Sequence, residues 1–108
     1  ALAAARLLAG QPNMMLLAAG TDGTDGVTDD AGALVDSETC ARLSVSGLDA
    51  DDCMRRADAG TALAASGDLI HTGPTGTNVG DLAIGLKLSE AAARIVVEGR
   101  DGLDTRVL

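Results

Sequence analysis

The 108-residue chain contains no phenylalanine, tyrosine or tryptophan. Its core must therefore be assembled from Leu, Val, Ile, Met and many alanines, each of which removes less area from water than an aromatic ring does. Such a core is thin, and its stability leans on close backbone packing or on a partner surface. Basic residues are scarce as well: 8 stand against 16 acids, for a net charge of -8, and the one lysine is Lys87. No arginine cluster exceeds the pair Arg55 and Arg56, so a polyanion would be repelled, which excludes nucleic acid as the natural partner and disfavours anionic membranes. No apolar run approaches the roughly 20 residues that span a bilayer, and the first residues lack the basic, apolar, cleavage-site order of a signal peptide. A cytoplasmic location is the expectation. The two cysteines, Cys40 and Cys53, show no CxxC spacing, so they form neither a metal knuckle nor a disulfide framework and are expected as free thiols in the core.

What the chain does contain is glycine, and two stretches concentrate it. Residues 20–32 read GTDGTDGVTDDAG, directly after the apolar run MMLLAA at 14–19. Glycine there permits positive φ and close backbone approach, while Asp22, Asp25, Asp29 and Asp30 offer only acceptor oxygens. Residues 71–80 read HTGPTGTNVG, follow the apolar pair Leu69 and Ile70, and carry no carboxylate. Two loops of opposite electrical character, each leaving a strand end, suggest a shared ligand.

The length suits one small domain. Residues 1–9, ALAAARLLA, have high helix propensity and stop at Gly10, with no capping residue ahead of Ala1; the expectation is a helix whose start lies upstream. The run 14–19 fits a strand buried on both faces. Residues 31–35 are apolar but too short to classify. Asp36 or Ser37 is placed to cap a helix over 38–43 that Gly47 closes, and Asp49 caps a second over 48–58, with Asp51 and Asp52 early and Arg55 and Arg56 late, as the helix dipole favours. One more helical turn fits 61–66 before Gly67. Strand 69–70 follows, and Leu82, Ile84, Leu86 and Leu88 alternate with smaller or polar residues, the period of a strand with one buried face. Residues 89–98 suggest a helix, and the end of the chain a mobile tail. The order is that of an α/β fold, a small sheet with short flanking helices.

Neither loop carries a nucleotide fingerprint. G-x-G-x-x-G is absent, and the P-loop pattern fails because the only lysine is at 87. The calcium-hand spacing fails too, since Asp22 and Asp25 are three apart and Val27 interrupts the series. The acidic loop would repel phosphate unless a divalent cation intervened. With Mg²⁺ the sign reverses, and Asp22 and Asp25 become reasonable ligands beside phosphate oxygens. The neutral loop offers the complement: backbone N–H groups at Gly73 and Gly76, donors on Thr72, Thr75, Thr77 and Asn78, and Pro74 to stiffen it. A solvated turn rich in Asx caps accounts equally for the composition of the first loop. His71 and Asp81 fall outside the candidate set, the one as a packing or hydrogen-bonding imidazole, the other as a turn into the last strand.

The blocks LLAAGTDGTDGVTDDAGALVD (16–36) and GDLIHTGPTGTNVGDLAIGL (67–86) resemble, in order and separation, the C-terminal MOFRL domain of glycerate 2-kinases. That family is often labelled hydroxypyruvate reductase. The resemblance covers residues 1–88, implies a Rossmann-like C-terminal domain segment of a two-domain enzyme, and leaves 89–108 as an extra helical then flexible tail. It implies ATP- and Mg²⁺-dependent phosphoryl transfer to the 2-hydroxyl of D-glycerate, giving 2-phosphoglycerate, in a cleft shared with an N-terminal domain of the same enzyme. It also implies that the 108 residues alone are inactive. By motif, Gly20, Thr21, Asp22, Gly23, Thr24, Asp25 and Gly26 match the first block, and Thr72, Gly73, Pro74, Thr75, Gly76, Thr77 and Asn78 the second; no catalytic residue is assigned. The family tends to carry Asn-Asp-Ser and then aromatics where this chain has Ala57, Asp58, Ala59 and Gly60. Open alternatives are a non-catalytic anion-binding or subunit-interaction domain, with a homo-oligomer among its states, and an NAD(P)H-dependent hydroxypyruvate reductase.

Overall fold

The computed structural model of the chain describes residues 1–24, 29–92 and 94. Helix α1 (Leu2–Leu8) ends at Ala9, and Gly10 at φ +77 turns the chain away. Strands β1 (Met14–Gly20) and β2 (Gly32–Asp36) are followed by helices α2 (Thr39–Val45), α3 (Ala50–Arg55) and α4 (Ala59–Ser66), then β3 (Leu69–Ile70) and β4 (Asp81–Lys87). Residues 90–92 and 94 are helical, as expected for the segment after β4; the rest of that expected helix and the tail lie outside the described residues. Asp49 caps α3 by accepting from the Asp52 N–H at 3.2 Å, as its position predicts. Asp36 and Ser37 do not occupy the cap of α2, which falls on Glu38; Asp36 instead accepts from the Glu38 N–H at 2.8 Å.

The strands form one sheet in the order β3-β2-β1-β4, and every pair is antiparallel. The α/β class with a small sheet and short flanking helices is thus observed, with pairing directions opposite to those of a parallel Rossmann-like sheet. The reason lies in the connections. β3 runs into β4 without a crossover helix, and α2 to α4 together return the chain to the sheet end at which β2 finishes, so each strand runs opposite its neighbour. The unclassified 31–35 run becomes β2.

All of α1 to α4 gather on one face of the sheet. Register places Leu16 opposite Val35 and Ala18 opposite Ala33, and this face meets Leu2 and Ala5 of α1, Leu43 of α2, Cys53 of α3, and Ala62 and Leu63 of α4 in the core. With helices on one side only, β1 is half-buried along most of its length instead of buried on both faces, and β4 leaves all its residues exposed instead of burying one face. Cys53 is buried; Cys40 is only partly so, with burial the main cause holding its thiol above the ordinary range.

A polar clamp joins the sheet to the helices. Asp68, 1% exposed, accepts from Arg42 Nη2 at 2.8 Å and from the Ser66 hydroxyl at 2.7 Å. The same guanidinium reaches Asp36 Oδ1 at 3.1 Å, Thr39 Oγ1 at 3.2 Å and the Ser66 carbonyl at 3.3 Å. Burial alone would lower the Arg42 pKa, but the hydrogen bond and charge of Asp68, with Asp36 behind it, outweigh that and raise it. Residues from β2, α2, α4 and the approach to β3 are thereby tied to one planar cation, a geometry that lysine could not reproduce.

Arg42→Met should lower stability by about 2–3 kcal/mol, below the cost of opening a fully buried pair because the guanidinium is partly exposed; the midpoint of urea unfolding measures it. Ala57, just after α3, holds φ +54 without being glycine. Ala57→Gly should relieve that strain and raise stability by about 1 kcal/mol in the same experiment.

Candidate functional site

The sheet order decides where the two glycine loops meet. β1 ends, β2 begins, β3 ends and β4 begins at one edge of the sheet, as the pairings Ala19 with Gly32, Gly32 with Ile70, and Gly20 with Asp81 require. The first loop joins neighbouring strands. The second must carry the chain from one outer strand to the other, three strand spacings or roughly 14 Å, and so it passes over the end of β1 and β2. It therefore lies across the first loop.

The contact is made by backbone groups together with the hydroxyls of Thr21 and Thr75. Thr21 N–H and its hydroxyl both donate to the Gly80 carbonyl, at 3.1 and 2.7 Å, and Thr21 Oγ1 accepts from the Val79 N–H at 2.9 Å. The Asp22 carbonyl accepts from the Thr75 N–H at 3.2 Å, and the Thr75 hydroxyl donates to the Thr21 carbonyl. Gly23 sits at φ +94 with its Cα against the Gly73 carbonyl, and a Cβ there would overlap it. Glycine at 23 is required twice over, by conformation and by space.

Of the expected donors, two are consumed within the loops: the Thr72 hydroxyl donates to the Gly73 carbonyl at 2.9 Å, and that of Thr75 to Thr21. Asn78 Oδ1 accepts from the Gly80 N–H at 3.0 Å, which leaves its amide nitrogen as the donor. Among the described residues the N–H groups of Gly73, Gly76 and Asn78 make no hydrogen bond, so the cradle is one of main-chain dipoles more than of hydroxyls. Pro74 stands between these groups at the exposed crest. In the acidic loop, Asp22 Oδ1 accepts from the N–H and hydroxyl of Thr24, at 3.0 and 3.2 Å, the Asx-cap geometry that the bland explanation anticipates.

Asp25 and Gly26 lie outside the described residues. Asp81, read from the sequence only as a turn into the last strand, lies next to the first loop: its Oδ1 and that of Asp22 stand 3.4 and 3.2 Å from where a Cβ of Gly20 would be. The available signal was its position one residue after the second loop, but only strand pairing identifies Gly20 as its neighbour. No group of three or more His, Cys, Asp or Glu side chains suited to a metal occurs among the described residues.

The MOFRL family matches residues 1–81. The chain belongs to that family. The D-glycerate 2-kinase of Thermotoga maritima is 51% identical to this MOFRL chain over 86 residues, which is 80% of the chain and 21% of the relative. The glycerate 2-kinase of Pyrococcus horikoshii is 41% identical over 76 residues, 70% of the chain and 17% of the relative. A crystal structure of Thermotoga maritima glycerate kinase superposes with a TM-score of 0.77 at 49% identity, covering 81% of the chain and 21% of that structure. Other relatives bear a hydroxypyruvate reductase name. The MOFRL chain thus spans about a fifth of the length of these relatives. No described helix is long and apolar enough to cross a membrane.

The loop contact gives a matched pair of substitutions. Gly47 also has positive φ, +88, but open space around it. Gly47→Ala should cost only the conformational strain, about 1–2 kcal/mol. Gly23→Ala should cost the same strain and in addition separate the loops, seen as faster amide exchange at Thr75 and Val79.

Proposed function

We propose that this MOFRL segment supplies one wall of the active-site cleft of an ATP-dependent glycerate 2-kinase, the enzyme that forms 2-phosphoglycerate and ADP from D-glycerate and ATP. The observation that carries the proposal is the hydrogen-bonded union of the two loops at one edge of the sheet, in a chain whose relatives are named for this activity. In the transfer, the glycerate 2-hydroxyl oxygen bonds to the γ-phosphorus, the bond from that phosphorus to the bridging oxygen of ADP breaks, and the hydroxyl proton is released. Catalysis of this kind is chiefly positioning and neutralisation of charge.

The two loops divide that work. The N–H groups of Gly73, Gly76 and Asn78, with the Asn78 amide, form a neutral donor set for phosphate oxygens. Asp22 and Asp81, hard oxygen donors on either side of Gly20, suit Mg²⁺, and Asp25 is the further candidate from the sequence. Bound there, Mg²⁺ would neutralise the charge that otherwise sets these carboxylates against the triphosphate. Thr24 holds the Asp22 carboxylate in place through Oδ1.

In a glycerate kinase that contains this segment, Asp22→Asn should weaken Mg-ATP binding by about tenfold or more, as expected for a lost charge-assisted contact. Asp81→Asn should do likewise, both read by calorimetric titration. An unchanged titration for both would overturn the assignment. Formation of ADP that depends on glycerate, without oxidation of NADH by hydroxypyruvate, separates the kinase from the reductase whose name some relatives carry.

A further inference from the structure

Among the described residues, helices α1 to α4 leave the opposite face of the sheet uncovered. By the alternation of the strands it carries Leu82, Ile84 and Leu86 of β4, Met15 and Leu17 of β1, and Leu34 of β2, paired as Leu86 with Met15, Ile84 with Leu17, and Leu17 with Leu34. These side chains form one continuous apolar surface, on which the β4 residues stay 45%, 47% and 51% exposed. Scattered exposed leucines are ordinary, but a contiguous two-dimensional array across three strands is the signature of an interface. β4 is also an edge strand with its outer backbone groups unpaired among the described residues. At the other edge β3 is only two residues long, whereas β4 runs for seven, without proline and with its charges, Asp81 and Lys87, only at its two ends.

We infer that this face and the β4 edge dock against the part of the glycerate kinase that lies outside the MOFRL segment. Two observations select that occupant. The relatives are about five times longer than the segment they share with this chain, so most of their mass is elsewhere. A second copy of this chain would bring a net charge of -8 against another of -8 and be repelled on approach. The docking also has a functional position. Loop 71–80 runs directly into β4 through Gly80 and Asp81, so whatever covers β4 stands beside the donor groups of Gly73, Gly76 and Asn78 and beside Asp81. The occupant therefore closes the second side of the cleft. The inference builds on the kinase proposal for the identity of the occupant, and it is tested by exposure instead of by turnover.

Ile84→Cys and Leu86→Cys, made separately, are labelled with a maleimide in the 108-residue chain and in a chimera, with the parent thiols as blank. In the chimera, residues 1–88 replace the matched 86 residues of the Thermotoga maritima enzyme. Val45→Cys, at a position 90% exposed on the helix side, is the control. Labelling at 84 and 86 should slow by about tenfold or more in the chimera while that at 45 stays equal in both proteins. Equal rates at 84 and 86 in the two proteins would overturn the inference. So would slowing in the 108-residue chain that grows with its concentration, which would make a second copy the occupant. Protection of β4 in a chimera without glycerate kinase activity would defeat the kinase proposal and leave the docking surface standing, and an active chimera with β4 unprotected would do the reverse.

Discussion

The guanidinium of Arg42 holds the domain together at the point where the sheet meets the helices. Through it Asp36 at the end of β2, Thr39 and the rest of α2, Ser66 at the end of α4 and Asp68 ahead of β3 share one cation. In a core without aromatic rings, apolar burial per residue is small, and directional bonds to a nearly buried carboxylate carry more of the specification of a single arrangement. The consequence reaches the site. Asp68 fixes where β3 begins, its carbonyl accepts from the Leu34 N–H at 3.0 Å, and only two residues later the chain leaves for loop 71–80. A slip of β3 would displace that loop from the one it crosses.

The site itself is built from main chain more than from side chains. Gly23 lies on the Gly73 carbonyl, and Thr21 and Asp22 exchange backbone and hydroxyl hydrogen bonds with Thr75, Val79 and Gly80. This explains why the motifs are rich in glycine and threonine: glycine lets two backbones approach, and threonine supplies a short hydroxyl that bridges between them. Neutral donors and carboxylates end up on adjoining loops, an arrangement in which an anion and a divalent cation can be held next to each other.

Much of the secondary structure was legible from local chemistry. The Asp49 cap, the Gly67 stop at φ +80 after α4, and the period of two along β4 each follow from residue types at fixed offsets. Burial was not legible. The alternation of Leu82, Ile84 and Leu86 reads as a face to be covered, and the face exists, but the helices cover the other side. Likewise the continuous run 14–19 suggests a strand buried on both faces, whereas Leu16 meets the core and Leu17 meets the bare side. An apolar pattern states that a surface needs a partner; it does not say whether that partner is in the same segment.

By itself the sequence determined the α/β composition and the two glycine loops at strand ends, because these depend on propensity and spacing. Tertiary structure alone decided the antiparallel order, the crossing of the loops, the pairing of Asp81 with Gly20 and the side of the sheet that the helices occupy. Those depend on which strands become neighbours, and contacts between residues about 50 to 60 positions apart leave no trace in local pattern. The start of the acidic stretch at the end of β1, conspicuous first for its composition, is held by those distant contacts against its neutral counterpart.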